Sequence, residues 1–71
     1  MFDFSIEKDL APIGNKGKAL KVVRWGDKPA KLDLRTWRQD GEELKPGKGI
    51  CFTREEAVEL QTALTEYLYD V

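Results

Sequence analysis

The sequence predicts an α+β domain, in which a four-stranded antiparallel curved sheet is followed by one C-terminal helix (ββββα). Two observations predict it. Apolar and polar side chains alternate in short segments separated by turn residues, and from residue 57 onward apolar residues recur at spacings of three and four. With 71 residues, a single domain over residues 1–71 is expected. A domain this small buries only about 60% of its unfolded surface, so pairing with a second copy would add needed stability.

The first two strands follow from the alternation. A half-buried first strand is predicted where apolar side chains stand at even positions, namely Phe2, Phe4, Ile6 and Leu10. Residues 12–17 are rich in Pro, Gly and Asn and predict a flexible connection. The second strand is predicted over residues 18–25, with one face formed by Lys21, Val23 and Trp25.

The third strand is predicted over residues 31–37. Alternation places four side chains on one of its faces, which are Lys31, Asp33, Arg35 and Trp37. Residues 38–49 are polar and contain many turn-forming residues, so a loop is expected there. Residues 50–52 are apolar and β-prone and predict a short fourth strand.

The helix is predicted to begin after Thr53, because Thr53 and Glu56 form the T-x-x-E pattern of a capping box. Its apolar face is formed by Ala57, Leu60, Leu64, Leu68 and Val71. One small sheet covers only part of this stripe, so we expect the helices of two chains to pack in an isologous homodimer. The dimer-interface residues predicted are Ala57, Leu60, Leu64 and Leu68.

The composition argues against catalysis. The chain has no His and a single Cys, Cys51, so neither a nucleophile–His pair nor a zinc site nor an internal disulfide is expected. Cys51 lies in an apolar segment and is interpreted as a packing residue. Asp40, Glu42 and Glu43 stand among turn residues and fit a solvated loop better than a metal site. We therefore predict no enzyme activity, no metal and no cofactor.

The segment around Lys48 suggests a phosphate-binding loop but does not match one. That motif requires G-x-x-x-x-G-K-[ST] directly before a helix. Here Lys48 stands between Gly47 and Gly49, and a predicted strand follows. The two glycines are expected to form a turn into the fourth strand, and no bound nucleotide is expected.

The charge is distributed unevenly along the chain. The overall formal charge is −1, but residues 16–54 hold eleven Lys and Arg against five Asp and Glu, a net charge of +6. Residues 55–71 hold five acidic residues and no basic one. A basic surface is typical of proteins with polyanionic partners. A solvated surface beside an acidic helix explains the same distribution equally well, so charge alone leaves both interpretations open.

Aromatic and basic residues are interleaved in this basic segment. Single-stranded nucleic acids bind to flat rings that stack on bases and to cations that follow the backbone. Trp25 and Trp37 supply two rings, and the accompanying cations are Lys21, Arg24, Lys28, Lys31, Arg35 and Arg38. A tryptophan in a small domain is more often a core residue, so each Trp has two interpretations at this point.

Residues 25–64 resemble the positive cofactor four family, whose members include the eukaryotic transcriptional coactivator p15 and the bacterial YdbC-type proteins. The family pattern joins a Trp-Gly turn, a K-x-D-[IL]-R-x-W strand, an acidic loop, a K-G-I-x-[LF]-[ST]-x-E-E segment and an amphipathic helix. The matching pieces are Trp25-Gly26, Lys31 to Trp37, Asp40 to Glu43, Lys48 to Phe52, and Thr53 to Glu56. The chain departs from the pattern at Gly47, where a second cation is common, and at Arg38, where bacterial members usually carry Ser.

The resemblance implies a homodimer that binds single-stranded DNA on its sheets and dimerises through its helices. It marks the two tryptophans for base stacking, and it implies that Asp33 is structural and orients Arg35. Together with the cations above, the predicted nucleic-acid-binding residues are Lys21, Arg24, Trp25, Lys28, Lys31, Arg35, Trp37, Arg38, Lys45 and Lys48.

We therefore predict a largely sequence-independent single-stranded DNA-binding protein of transcription, replication, recombination or repair, with RNA or melted duplex as further ligands. The alternative is a protein-interaction module of a transcription or replication complex, in which the helix or a sheet edge docks a partner and nucleic acid has no role. No apolar run reaches the length of a membrane span. A cytoplasmic protein without a membrane or small-molecule partner is expected, either nucleoid-associated or phage-encoded in a bacterial host.

Overall fold

The computed structural model describes residues 3–69, which form four strands and one helix. These are β1 (Phe4–Ile13), β2 (Lys18–Trp25), β3 (Lys31–Asp40), β4 (Glu43–Phe52) and α1 (Arg54–Tyr69). The strands are neighbours in chain order, and each pair is antiparallel. The predicted ββββα order is therefore confirmed. Phe2 and Val71, which the sequence places at the ends of the first strand and the helix, lie outside the described residues.

The prediction of a loop over residues 38–49 is wrong, because β3 and β4 continue through this segment and form a long hairpin. Asp40 pairs with Glu43, so the turn consists of Gly41 and Glu42 alone. Gly41 has a φ of 64°. A two-residue hairpin turn needs such a left-handed residue at its first central position, and glycine adopts it without steric cost.

Gly47 and Gly49, expected to form a turn, lie inside β4 instead. A Cβ atom on Gly47 would collide with Thr36, and one on Gly49 would collide with Arg35. The β3–β4 register shifts at this point, which marks a β-bulge. The two glycines therefore allow β4 to approach β3 closely at the bulge.

Strand β1 lies at the edge of the sheet and contains two bulges, so simple alternation does not describe it. Its register against β2 shifts at Glu7 and again at Leu10. Leu10, expected on the face of Phe4 and Ile6, is the extra residue of the second bulge and is 43% exposed. Pro12, expected in the connection, lies within β1, because an edge strand tolerates a residue without a backbone N–H.

The pleat of the strands gives the sheet two different faces. We call one the aromatic face, defined by Phe4, Val23, Trp25, Asp33, Arg35 and Trp37. It contains the most buried of the described side chains, because Val23 and Asp33 are 0% exposed and Trp37 is 9% exposed. The other face carries Val22, Leu32 and Phe52, which line a cavity together with Ala57 of the helix. The predicted grouping of Lys31, Asp33, Arg35 and Trp37 on one face is confirmed.

Helix α1 begins with the predicted capping box. The backbone N–H of Glu56 donates to Thr53 Oγ1 at 3.1 Å, and the backbone N–H of Thr53 donates to Glu56 Oε1 at 2.9 Å. The helix packs on β3 and β4. Within residues 54–69 none of its side chains is buried, and Leu64 and Leu68 are 49% and 59% exposed. Its predicted apolar face is therefore only partly covered by the sheet.

Among residues 3–69, no helix is both long and apolar enough to span a membrane.

Candidate nucleic-acid interface

Three aromatic rings form a cluster on the aromatic face. The ring of Phe4 contacts both tryptophans, with centroid distances of 5.4 Å to Trp25 and 5.5 Å to Trp37. Strand pairing explains this position, because Phe4 is the direct cross-strand partner of Trp25. Trp37 is buried, whereas Trp25 is only half-buried. Of the two interpretations left open by the sequence, Trp37 is a core residue in this structure and Trp25 retains accessible ring surface.

Asp33 is fully buried beside the aromatic cluster and accepts three hydrogen bonds. The donors are the indole N–H of Trp25 at 3.2 Å, Nε of Arg35 at 2.6 Å and the thiol of Cys51 at 3.0 Å. Burial by itself would raise the pKa of Asp33, but the three donors and the positive charge of Arg35 outweigh this effect. The pKa of Asp33 is therefore lowered, and the carboxylate is ionised at neutral pH.

Arg35 lies over the ring of Trp25, with its guanidinium carbon 4.6 Å from the ring centroid. Besides the bond to Asp33, one terminal nitrogen donates to the carbonyl oxygen of Gly47 at 3.0 Å, and the other contacts Cys51 Sγ at 3.8 Å. The hydrogen bond to Asp33 raises the pKa of Arg35 above its already high ordinary value. The expectation that Asp33 orients Arg35 is confirmed, and the same carboxylate also fixes Trp25.

Cys51 acts in this network as a hydrogen-bond donor. Burial raises the pKa of its thiol, and the neighbouring Asp33 carboxylate raises it further. The thiol is therefore protonated at neutral pH, which favours donation to Asp33 over nucleophilic reactivity.

Replacing Asp33 with Asn is expected to destabilise the fold. The amide keeps the shape of the side chain but leaves the largely buried Arg35 guanidinium without a counter-charge. Removing one partner of a buried ion pair costs about 3–5 kcal/mol. We expect the free energy of unfolding, measured with urea at pH 7, to fall by about 3 kcal/mol.

The pH dependence of stability tests this prediction further, and a matched variant serves as its control. Because the pKa of Asp33 is lowered in the folded state, its stabilisation is complete above the ordinary Asp pKa of about 3.9 and is lost as the pH falls through the lower folded value. When the pH is lowered below about 4, the free energy of unfolding should therefore fall less for Asp33→Asn than for the unaltered protein. Asp40→Asn, which removes an exposed pair with Lys45 at 2.9 Å, should change stability by less than about 1 kcal/mol. Equal stability of the Asp33→Asn and unaltered proteins at pH 7 would contradict the prediction.

Two adjoining cavities open beside the aromatic cluster. The first has a volume of about 350 Å³ and is lined by Trp25, Lys28, Pro29, Lys31, Arg35, Pro46, Gly47 and Cys51. The second has a volume of about 390 Å³ and is lined by Lys16, Thr36, Trp37, Arg38, Lys45, Pro46 and Gly47. Pro46 and Gly47 line both cavities, and we call the two cavities together the basic groove. The second cavity extends beyond the aromatic face, because Thr36 and Arg38 alternate with Arg35 and Trp37 in β3.

The basic groove contains most of the nucleic-acid-binding residues predicted from the sequence, but not all of them. The first cavity holds Trp25, Lys28, Lys31 and Arg35, and the second holds Trp37, Arg38 and Lys45. Three predicted cations lie outside both cavities, namely Lys21, Arg24 and Lys48. Arg24 alternates with Val23 and Trp25 along β2, and Lys48 alternates with Gly49 and Cys51 along β4, so both lie on the opposite face of the sheet.

Ion pairs divide the predicted cations into two groups. Four of them have acidic partners: Lys21 pairs with Asp9, Arg24 with Glu7, Arg35 with Asp33, and Lys45 with Asp40. The others are exposed and form no ion pair within residues 3–69, and these are Lys28, Lys31, Arg38 and Lys48. The second group is the one available to an external anion without loss of an existing pair.

Sequence reasoning missed two contributors to this region, Phe4 and Lys16. Phe4 was expected only as an apolar strand residue, and its contact with both tryptophans depends on the β1–β2 register. Lys16 lies in the turn between β1 and β2, and the backbone N–H of Trp37 fixes this turn by donating to the Gly17 carbonyl oxygen at 2.8 Å. A signal for Lys16 was present in the sequence, because it belongs to the basic segment.

An open sheet with an aromatic and basic groove, followed by one helix, has the features of a small nucleic-acid-binding domain. Residues 12–63 match the family model of Transcriptional Coactivator p15 (PC4). The chain is also 30% identical over 73 residues to an uncharacterized protein of Treponema pallidum (strain Nichols), an alignment covering 97% of this chain and 84% of the relative. The protein belongs to the transcriptional coactivator p15 (PC4) family, a non-enzymatic family of nucleic-acid-binding proteins, and the resemblance seen in the sequence is confirmed.

Proposed function

We propose that the protein is a homodimer that binds single-stranded DNA largely independently of sequence and holds unpaired strands in the nucleoid. Its family indicates single-stranded DNA binding and a role related to transcription. The observation that carries the proposal is the first cavity, where the accessible ring of Trp25 lies beside the exposed side chains of Lys28 and Lys31. Replication, recombination and repair expose the same kind of strand, so the proposal extends to them.

Trp25 is the proposed base-stacking residue. Stacking on an aromatic ring contributes about 1–3 kcal/mol per base and accepts every base, which accounts for binding without sequence preference. Trp37 is buried against Phe4 and has far less ring surface to offer. We therefore assign Trp37 mainly to supporting the aromatic cluster and to lining the second cavity.

The phosphate contacts are assigned to the exposed cations that form no ion pair within residues 3–69. Lys28 and Lys31 flank the first cavity, and Arg38 lines the second, where Lys16 and Lys45 also lie. A strand that follows the basic groove from one cavity to the other would pass Pro46 and Gly47 of β4. Lys48 is exposed in the same strand, but it alternates with Gly49 and Cys51, so it lies on the face opposite the first cavity and we assign it no contact in the groove.

The exposed apolar surface of α1 supports the homodimer. Leu64 and Leu68 are about half exposed, while Ala57 and Leu60 are half-buried where the helix meets the sheet. Packing α1 against its copy would remove the leucines from water, and an isologous dimer is the simplest arrangement that does so. The proposed interface is the predicted one, formed by Ala57, Leu60, Leu64 and Leu68.

Titration of a fluorescently labelled oligo-dT with the protein tests the DNA-binding proposal. We expect the anisotropy of the label to rise and the Trp fluorescence to be quenched. If about five phosphates are neutralised on a single strand, a plot of log K against log salt should have a slope of about −3.5. Competition with oligo-U and with duplex DNA ranks RNA and melted duplex as ligands. Absence of both the anisotropy change and the quenching at low salt would refute the proposal.

A protein-interaction module is the second candidate, and the exposed apolar surface of α1 is the observation that favours it. A partner protein docked on Leu64 and Leu68 would cover the same area as a second copy of the chain. In that case the basic groove would not contribute to binding, and substitutions there would leave the contact intact.

A further inference from the structure

We propose that Arg35 orients Trp25 and supplies a stacking surface for a base, and that it does not contact phosphate. The inference deepens the proposed function and rests on it. It separates Arg35 from Lys28 and Lys31, the other cations that line the first cavity.

The hydrogen bonds of Arg35 are directed into the protein. Nε donates to the Asp33 carboxylate, and the two terminal nitrogens contact the Gly47 carbonyl oxygen and the Cys51 sulfur. The side chain is only 14% exposed. An arginine that binds phosphate presents the planar N–H edge of its guanidinium to the ligand. Presenting the edge that includes Nε would release Asp33, and a buried carboxylate without its partner is strongly unfavourable. Presenting the edge of the two terminal nitrogens would give up the contacts with the Gly47 carbonyl oxygen and Cys51.

The same contacts fix the orientation of Trp25. The guanidinium of Arg35 lies over the indole ring, and Asp33 accepts the indole N–H. Asp33 and Arg35 are two residues apart in β3, so alternation places both on the aromatic face. The indole of Trp25 is thereby fixed before a ligand binds, by Arg35 at one ring face and by Asp33 at the indole N–H. Less side-chain freedom remains to be lost on binding, which favours affinity.

The planar guanidinium covers one face of the Trp25 ring and offers a second flat surface in the first cavity, which both residues line. Unpaired bases stack on arginine guanidinium planes as well as on aromatic rings. Lys28 and Lys31 are exposed and without ion pairs in the described part of the chain, so they remain the phosphate contacts of this cavity. The cavity thus has an inner surface for a base and outer cations for the backbone.

The test compares Arg35→Gln with Lys31→Gln by oligo-dT anisotropy at several salt concentrations, at a temperature where circular dichroism shows each variant folded. We expect Arg35→Gln to weaken binding about tenfold, because the variant loses a stacking surface. The salt slope should stay unchanged, because the variant loses no phosphate contact. Lys31→Gln should make the slope shallower by about 0.7. A shallower slope for Arg35→Gln, equal to that of Lys31→Gln, would overturn the inference. Unchanged affinity of folded Arg35→Gln would do the same, because it would show a purely structural role.

A measurement on the unaltered protein covers the case in which Arg35→Gln does not fold. The Nε–H proton of Arg35 is followed by NMR during the oligo-dT titration. We expect its slow exchange with water to persist, because the bond to Asp33 stays intact in the complex. Loss of this protection on binding would overturn the inference. Failure of the unaltered protein to bind oligo-dT would instead refute the proposed function itself, so the two failures are distinguishable.

Discussion

Replacing Trp25 with Ala is expected to weaken binding of oligo-dT by about ten- to a hundredfold, since one stacked base contributes about 1–3 kcal/mol. The substitution removes the accessible ring of the first cavity and also the surface on which the Arg35 guanidinium lies. The salt slope should change little, because Lys28 and Lys31 remain in place. Fluorescence anisotropy of labelled oligo-dT measures both quantities.

Trp37→Phe is the matched control for this prediction. The substitution keeps an aromatic ring beside Phe4 and removes an indole N–H that has no hydrogen-bond acceptor among the described residues. Replacement by Ala would be a poor control, because truncating a buried aromatic costs about 3–5 kcal/mol of stability. Each variant retains a single tryptophan. We expect oligo-dT to quench the fluorescence of Trp37→Phe, in which Trp25 remains, and to leave that of Trp25→Ala nearly unchanged.

The outcome of the Trp25 substitution also distinguishes the two functional candidates. If oligo-dT binds Trp25→Ala as tightly as the unaltered protein, the assignment of the stacking residue is wrong. If the protein acts by docking another protein on α1, Trp25→Ala should leave that contact intact, because Trp25 lies on the face of the sheet opposite the helix.

The features that the sequence predicted correctly depend on neighbours within a few residues along the chain. The start of α1 was predictable because Thr53 and Glu56 satisfy each other's backbone N–H groups across three positions. The shared face of Asp33, Arg35 and Trp37 was predictable because alternation in β3 is uninterrupted. Local patterns of this kind require no knowledge of strand register.

The errors arise where register or long-range pairing decides the structure. The hairpin of β3 and β4 was interpreted as a loop because Gly47 and Gly49 usually mark turns, whereas here they permit close approach of an edge strand. Alternation failed in β1 because two bulges shift its faces. The contact of Cys51 with Asp33 required their pairing across two strands, and the contact of Phe4 with Trp37 required three strands to be aligned.

The sequence alone also does not predict how many of the basic side chains are free of ion pairs and so available to bind phosphate. Composition and the family resemblance predict ten binding residues, and eight of them are Lys or Arg. Only the structure shows that Lys21, Arg24, Arg35 and Lys45 already have acidic partners. Two of these pairs, Lys21 with Asp9 and Arg24 with Glu7, join a predicted basic strand to the acidic first strand. The electrostatic contribution of a basic segment therefore depends on which acidic strand lies next to it.

Replacing Leu64 with Glu is expected to convert the protein to a monomer at micromolar concentration. Leu64 is 49% exposed in the protomer, so the substitution removes only part of one side chain's packing within the chain. In an isologous dimer it removes two buried leucines and brings two carboxylates together. Fully burying a Leu is worth about 1.5–3 kcal/mol, and dimerisation would bury the exposed half of each of the two leucines. The dimer should therefore lose about 1.5–3 kcal/mol, about ten- to a hundredfold in dissociation constant, and the two carboxylates add to this loss. Sedimentation equilibrium measures this change directly.

Thr62→Glu supplies the matched control, because it adds the same charge to α1 about 160° away from Leu64 around the helix. It should leave the mass and the unfolding midpoint nearly unchanged. For the unaltered protein the midpoint should rise with protein concentration, as folding and association are linked in a dimer, whereas for Leu64→Glu it should be lower and independent of concentration. A monomeric mass for the unaltered protein would refute the dimer and leave α1 free to dock another protein. If Leu64→Glu remains dimeric, the two chains associate through a surface other than this helix.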